Sequence, residues 1–227
     1  MTATQKIFEY QIWHLFSLIL LIFAIKLYVF SSPDILDGSF WGISTSSWFW
    51  LAIVTPIIHQ IYVWLVWRFE LHFRVFSKKL GLKRAFNIYA AGFSFLFISR
   101  LITIIFLAIS SKNTLQSNPV IAYVFAASIT PFVIFLFYSV KKYFTIERAY
   151  GIDHFDKNYN EPYVKKGIFK YTDNGMYVFG LMILYLPGLL LLSEGALLVA
   201  LFNHVYIWVH YYFTERPDMV VIYGNAP

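Results

Sequence analysis

The chain has 227 residues, of which 59% are hydrophobic, 21% aromatic and only 13% charged. Soluble domains run nearer half apolar and a quarter charged, so a bilayer is the natural solvent for this composition. The formal charge of +6 would suit nucleic acid only on the surface of a soluble body; here the cations sit in loops between apolar runs, which points to anionic lipid headgroups instead. The absence of cysteine excludes a disulfide framework and a thiolate metal site.

Crossing a hydrocarbon core about 30 Å thick takes about 20 mainly apolar residues. Six stretches qualify, at 12–30, 47–67, 87–110, 120–140, 176–193 and 196–213. The sequence therefore predicts an all-α, polytopic transmembrane helical bundle. The first run is followed by no small-residue cleavage site and reads as a retained span. Lys26, near its outer end, is expected to snorkel. The 31–46 loop carries Asp34 and Asp37 without a cation. In the second span, His59 follows Pro56 and reads as a core residue beside a kink. Residues 68–86 mix Arg68, Arg74, Lys78, Lys79, Lys83 and Arg84 with Phe and Leu, as an interfacial connector would.

Arg100 lies within the third span, where a charge needs a buried partner, a water-filled notch or the anionic group of a substrate. The 111–119 loop has one cation, Lys112, whereas 141–175 is rich in lysine and also holds Glu147, Arg148, Asp153, Asp156, Glu161 and Asp173. Loops this long without obvious structure are commonly functional. The positive-inside rule places both basic segments, and with them both termini, on the cytoplasmic side of a bacterial inner membrane or endoplasmic reticulum. An even number of spans agrees. Only Ser193, Glu194 and Gly195 separate the last two runs, so these form a tight antiparallel hairpin. The expected organisation is a four-span membrane region over 1–140 and a cytoplasmic-facing segment plus hairpin over 141–227, integrated as one domain.

His204, Trp208, Tyr211 and Glu215 recur at spacings of four, three and four, which sets them on one side of an α-helix. A histidine within an apolar run is costly unless it has a partner or a cavity. The plainer alternative is a packed helix with one hydrogen-bonded histidine and an interfacial glutamate. The preceding helix starts with Tyr177 and Gly180, with Gly188 eight positions later; small residues let a helix or a ligand approach the backbone. No GxxxxGK[ST], HExxH or GxSxG is present, which removes the sequence case for P-loop, zinc-protease and α/β-hydrolase chemistry. Asp153 and His154 lack further ligands at metal spacing, so no metal site is expected.

"GIFKYTDNGMYVFG" (167–180), the hairpin, and "FTERPDMVVIYG" (213–224) together resemble the membrane-embedded methyltransferases, which comprise phospholipid N-methyltransferases and isoprenylcysteine carboxyl methyltransferases. Their motif has the form G-x-Y/F-x-Y-x-R-H-P-x-Y-x-x-G, followed by a helical hairpin and then a Glu-Glu pair or a Glu closely followed by Pro. Gly167, Phe169, Tyr171, Tyr177 and Gly180 fall on the first part, and Glu215 on the last. Asp173, Asn174 and Gly175 replace Arg-His-Pro; "DN-x-MY" is similar to the Asp-Asn-Pro-Met-Tyr of phosphatidylethanolamine N-methyltransferases. "ERAYGI" (147–152) is a looser match to a glycine-containing cofactor segment. The resemblance covers about the last 85 residues. Two departures stand out: Gly175 loosens the turn, and Arg216 stands where the pair has its second glutamate.

The resemblance implies S-adenosylmethionine as cofactor and in-line transfer of its methyl group to the amine of a phosphatidylethanolamine-type lipid. Carboxyl methylation of a prenylcysteine or a small lipid acid is the alternative within the group; a non-catalytic lipid-binding or transport protein is the alternative outside it. On the implied reading, Glu215 takes the ammonium of the donor, and Asn174, Tyr171 or nearby backbone N–H groups take its carboxylate. Gly167, Tyr177 and Gly180 complete the cofactor set. His204 and Trp208 wall the adenine slot, and aromatic faces also attract a sulfonium. Glu147, His154 and Glu215 are the candidate bases for an acceptor amine. Arg100 and Arg148 are the candidates for an anionic group on the substrate. Such a pocket should open sideways to lipid and downward to the cytoplasm.

Overall fold

A computed structural model of the chain describes residues 3–159, 161–162 and 164–224. Helix α1 (Ala3–Phe8) turns at Tyr10, whose φ is 62°, into α2 (Gln11–Ser31). A short 3-10 turn and a two-residue antiparallel ladder (β1, Ser39–Phe40; β2, Ile43–Ser44) lead to α3 (Thr45–Phe73). The Ser44 hydroxyl caps α3 by accepting from the Ser47 N–H. After α4 (Ser77–Leu80) come α5 (Leu82–Ser110) and α6 (Pro119–Ser139), the latter opened by an Asn118 cap with Pro119 in the first turn. A π turn (Val140–Phe144) and α7 (Ile146–Ala149) enter the long polar segment.

The hairpin follows. Its first arm is α8 (Gly175–Phe179), a 3-10 stretch (Gly180–Tyr185) and α9 (Leu186–Leu190). Its second arm is α10 (Glu194–His210), a π turn (Tyr211–Glu215) and α11 (Arg216–Tyr223). Apart from the β1–β2 ladder, the described residues that form regular structure are helical.

Five helical segments are long and apolar enough to cross a membrane: Thr4–Ser31, Thr45–Phe73, Leu82–Ser110, Pro119–Phe144 and Glu194–Tyr223. This is an integral membrane protein. The predicted sixth run is a shorter apolar element, Gly175–Leu190, and not a continuous α-helix. Pro187 has no N–H to donate and Gly180 is a weak helix former, so the middle winds more tightly. The tighter winding has a larger rise, so these residues extend about 27 Å rather than the about 24 Å of a pure α-helix. That length connects the two ends of the bundle. The last span also runs beyond the predicted boundary at 213, because Pro217 falls in the first turn of α11, where proline is tolerated.

The bundle has two distinct ends. At one, Thr45 bonds the Ser110 carbonyl, Asn113 N–H bonds Leu191 O, and the Ser111 and Ser193 hydroxyls meet at 2.7 Å. At the other, Arg68 joins Ile7, Glu9, Phe213 and Asp218. Both basic segments and the described residues nearest either terminus gather at this second end. Between the ends, Ala52, Ala108, Ala196 and Ala200 are fully buried, which lets α3, α5 and α10 approach closely around Phe49, Ile104 and Val199. Toward the basic end, Val63, Trp67, Phe86 and Tyr89 are covered by Ile152 and Phe155 from the polar segment. That segment is thus a folded cap over the helix ends.

Candidate active site

Two hollows lie between these packing centres. The inner one, a cavity of about 300 Å³, is enclosed by α3, α5, α6, the first arm of the hairpin and α10. Phe93, Phe97, Leu136 and Phe137 make it largely apolar, and its polar groups are His59, Gln60, Arg100 and His210. Phe137 lines this chamber yet is 43% exposed, so the wall on the α6 side reaches the outer surface of the bundle. The outer hollow, about 90 Å³, is polar and lies at the basic end; Arg148, Asp153, Asp173, Asn174 and Glu215 border it. Trp67, Ala149, Met176 and Tyr177 line both, so chamber and vestibule share a wall.

The polar segment is anchored on that wall. His154 is buried and stacks on the Trp67 indole with ring centroids 4.0 Å apart. Its Nδ1 bonds Asp153 Oδ1 at 3.1 Å, and its Nε2 lies 3.7 Å from Asp218 Oδ2, an ion-pair distance rather than a hydrogen bond. Burial by itself would lower the pKa of His154, but the two carboxylates outweigh it and raise it to about 9. Burial pushes Asp153 the other way, and His154 together with the Tyr223 hydroxyl overcomes it, holding the carboxyl below its ordinary range. At neutral pH this is an imidazolium lying on an aromatic face. Gly151 makes the approach possible: at φ +79°, an added Cβ would meet the Trp67 ring at 2.6 Å.

The structure brings some of the sequence candidates together. Glu215 is half-buried in the vestibule and accepts from the Tyr177 hydroxyl. Asn174 lies beside it, and Asp173 is paired with Lys165. Arg148 also borders the vestibule, its Nη1 donating to Pro162 O at 2.9 Å and its guanidinium 4.9 Å from the Phe144 ring. Gly180 and Arg100 line the chamber. Other candidates lie apart. Tyr171 is 75% exposed and Glu147 is exposed, and neither lines a hollow. Gly167, at φ +58°, packs against Ser139 and Tyr143, next to the Ile168 N–H that bonds Ser139 Oγ.

Of the expected stripe, Trp208, Tyr211 and Glu215 all meet Tyr177 and His204 meets Tyr185 of the first hairpin arm, but only Tyr211 and Glu215 line a hollow. Residues 211–215 form a π turn, in which the Arg216 N–H reaches Tyr211 O and the spacing widens by a residue. Tyr211 and Glu215 face the vestibule, but the upstream residue that joins them on the cavity side is His210. His204 packs on Tyr185 and Trp208 on Tyr177, each at 5.8 Å between ring centroids and outside both hollows. Gln60, Trp67 and His210 are cavity residues that the sequence reading passed over, and His59 is one that it took for a core residue. In sequence they look like core positions of amphipathic spans, and the one signal was their polar character within apolar runs.

By fold and site this is a membrane-embedded protein with a two-part cavity, apolar within the bundle and polar at its basic end. Residues 121–226 match the family model for phospholipid methyltransferase, a family whose members use S-adenosylmethionine. The activity of that family is S-adenosylmethionine-dependent methylation of a phospholipid. No curated protein and no solved structure gave a match. The matched segment supplies α6, the polar segment, the hairpin and most of the vestibule. The chamber residues His59, Gln60, Trp67, Phe93 and Arg100 lie outside it.

Proposed function

We propose that the protein N-methylates the amine of phosphatidylethanolamine-type lipids, with the donor in the vestibule and the acceptor amine presented from the chamber. The observation that carries this is the shared wall. Tyr177 lines both hollows and holds Glu215, so a sulfonium in one hollow and an amine in the other are separated by side chains rather than by backbone. Glu215, with Asn174 beside it, suits the donor's ammonium, and Arg148 suits its carboxylate. Trp67, Tyr177 and Tyr211 offer aromatic faces to the sulfonium. Trp208 then supports Tyr177, Gly167 sets the loop against α6, and His204 and Tyr171 stand outside the site.

An ethanolamine must lose a proton before it attacks. His154 already carries one at neutral pH, and Glu147 is remote from both hollows. His210 is the better acceptor: it is buried, it lines the chamber, and neither ring nitrogen has a partner among the described residues. In this reading the lipid ammonium gives its proton to a His210 nitrogen. The freed lone pair forms the N–C bond as the methyl–sulfur bond breaks, and the donor leaves as a neutral thioether. The donor enters from the cytoplasm, which puts the basic end and both termini on that side, as the loop cations favour. The 141–227 segment is then the cofactor half and 1–140 the acceptor half of one domain.

Purified protein in micelles, supplied with donor labelled in its methyl group together with phosphatidylethanolamine and farnesylcysteine, should label the amine lipid. Transfer only to the carboxylate acceptor, or to neither, would sink the proposal. Glu215→Gln should raise the KM for the donor. His210→Gln should lower kcat by about 10²-fold or more and remove the acidic limb of its pH profile.

A further inference from the structure

Arg100 is 3% exposed, and it sits about 27 Å from the Leu82 end of α5 and about 15 Å from the Ser110 end, deep within the bilayer. Its Nε donates to Asn203 Oδ1 at 2.9 Å, and its Nη1 faces His59 Nδ1 at 3.4 Å. Its Nη2 has no partner, and no carboxylate pairs with it among the described residues. A guanidinium can only donate, so His59 Nδ1 is an acceptor and the ring hydrogen is on Nε2. That Nε2 is also buried and without a partner. Two orphaned donors, one of them cationic, thus belong to residues that line the same chamber. A buried cation without a counter-charge is costly, and each unmet donor adds to the cost.

We propose that Arg100 and His59 form an oxyanion subsite that takes the phosphodiester of the lipid acceptor. The assignment rests on reading the chamber as the acceptor site. A planar fork beside an imidazole N–H matches the spread oxygens of a phosphate. In phosphatidylethanolamine the amine is only two carbons from that phosphate, which directs it toward His210. The acyl chains leave past Phe137, the chamber residue that reaches the outer surface. Both subsite residues belong to spans outside the family match, so this chain's own helices α3 and α5 select the acceptor.

The test is equilibrium binding of tritiated phosphatidylethanolamine and tritiated diacylglycerol to the full chain in micelles, with donor affinity measured in parallel by calorimetry. Wild type should prefer the phosphate-bearing lipid by about tenfold or more. Arg100→Gln should erase that preference. Asn203→Asp, which supplies an internal carboxylate to Arg100 without enlarging the side chain, should erase it too while leaving the melting temperature no lower. Donor affinity should stay within about twofold in both, since Arg100 and Asn203 lie outside the vestibule. An unchanged lipid preference in the two variants overturns the subsite. So does displacement of phosphatidylethanolamine by palmitate, or by inorganic phosphate, as effectively as by a second phosphatidyl lipid. Because the readout is binding, a protein that shows the preference yet transfers no methyl group refutes the proposed reaction and leaves the subsite standing.

Discussion

Two arginines lie inside this protein, and they are treated in opposite ways. Arg68 is 0% exposed, and each of its side-chain nitrogens has a partner. Nε bonds Asp218 at 3.0 Å, Nη1 bonds the carbonyls of Ile7 at 2.9 Å and Glu9 at 2.7 Å, and Nη2 bonds Phe213 O at 3.2 Å. Arg100 is almost as buried, but its partners are a neutral amide and an imidazole, and one nitrogen is left over. The first is closed: a counter-ion and three carbonyls tie α1, α3 and the end of the last span into one knot. The second is open, and its deficit belongs to a residue that lines a cavity. Satisfaction from within marks a structural group, and a directed deficit marks a place for a ligand.

Removing each charge in turn tests that contrast. Arg68→Met should be the most damaging change, costing about 3–5 kcal/mol, because it takes the hydrogen-bonded cation from the buried Asp218, leaving it only the more distant His154, and strips the donors from three carbonyls. Thermal melting in micelles would show it as a large fall in midpoint. Next comes the titration of the same knot. The folded pKa of His154, about 9, lies above its ordinary 6.5, so its stabilisation is complete below pH 6.5 and is lost as pH rises through about 9. Wild type should lose up to about 3 kcal/mol over that range, and His154→Gln should flatten the profile. The smallest effect is expected for Arg100→Met without lipid, within about 1 kcal/mol, since an apolar chain of similar length replaces a charge with no counter-ion. A loss as large as that of Arg68→Met would break the distinction between the two.

Much of this architecture can be read along the chain. The apolar runs mark the long spans, the three polar residues at 193–195 mark the hairpin turn, and Glu215 with Tyr177 does fall at the mouth of a hollow. The reading slips where helix geometry departs from 3.6 residues per turn. The π turn at 211–215 widens the spacing of the last span by a residue, and the 3-10 stretch at 180–185 turns an expected span into a shorter, tighter arm. It also slips where a partner is distant: nothing near Asp153 and His154 in sequence announces Asp218, and nothing near Arg68 announces Ile7 or Phe213.

Membrane residence, span positions and the charge asymmetry of the loops are local properties of composition and length, and the sequence by itself determined them. Which of two arginines is neutralised, which histidine borders the cavity and which loop carboxylates join the knot were decided only by the tertiary structure. Buried charges are settled by contacts between residues far apart in the chain, and only the packed bundle brings those residues together.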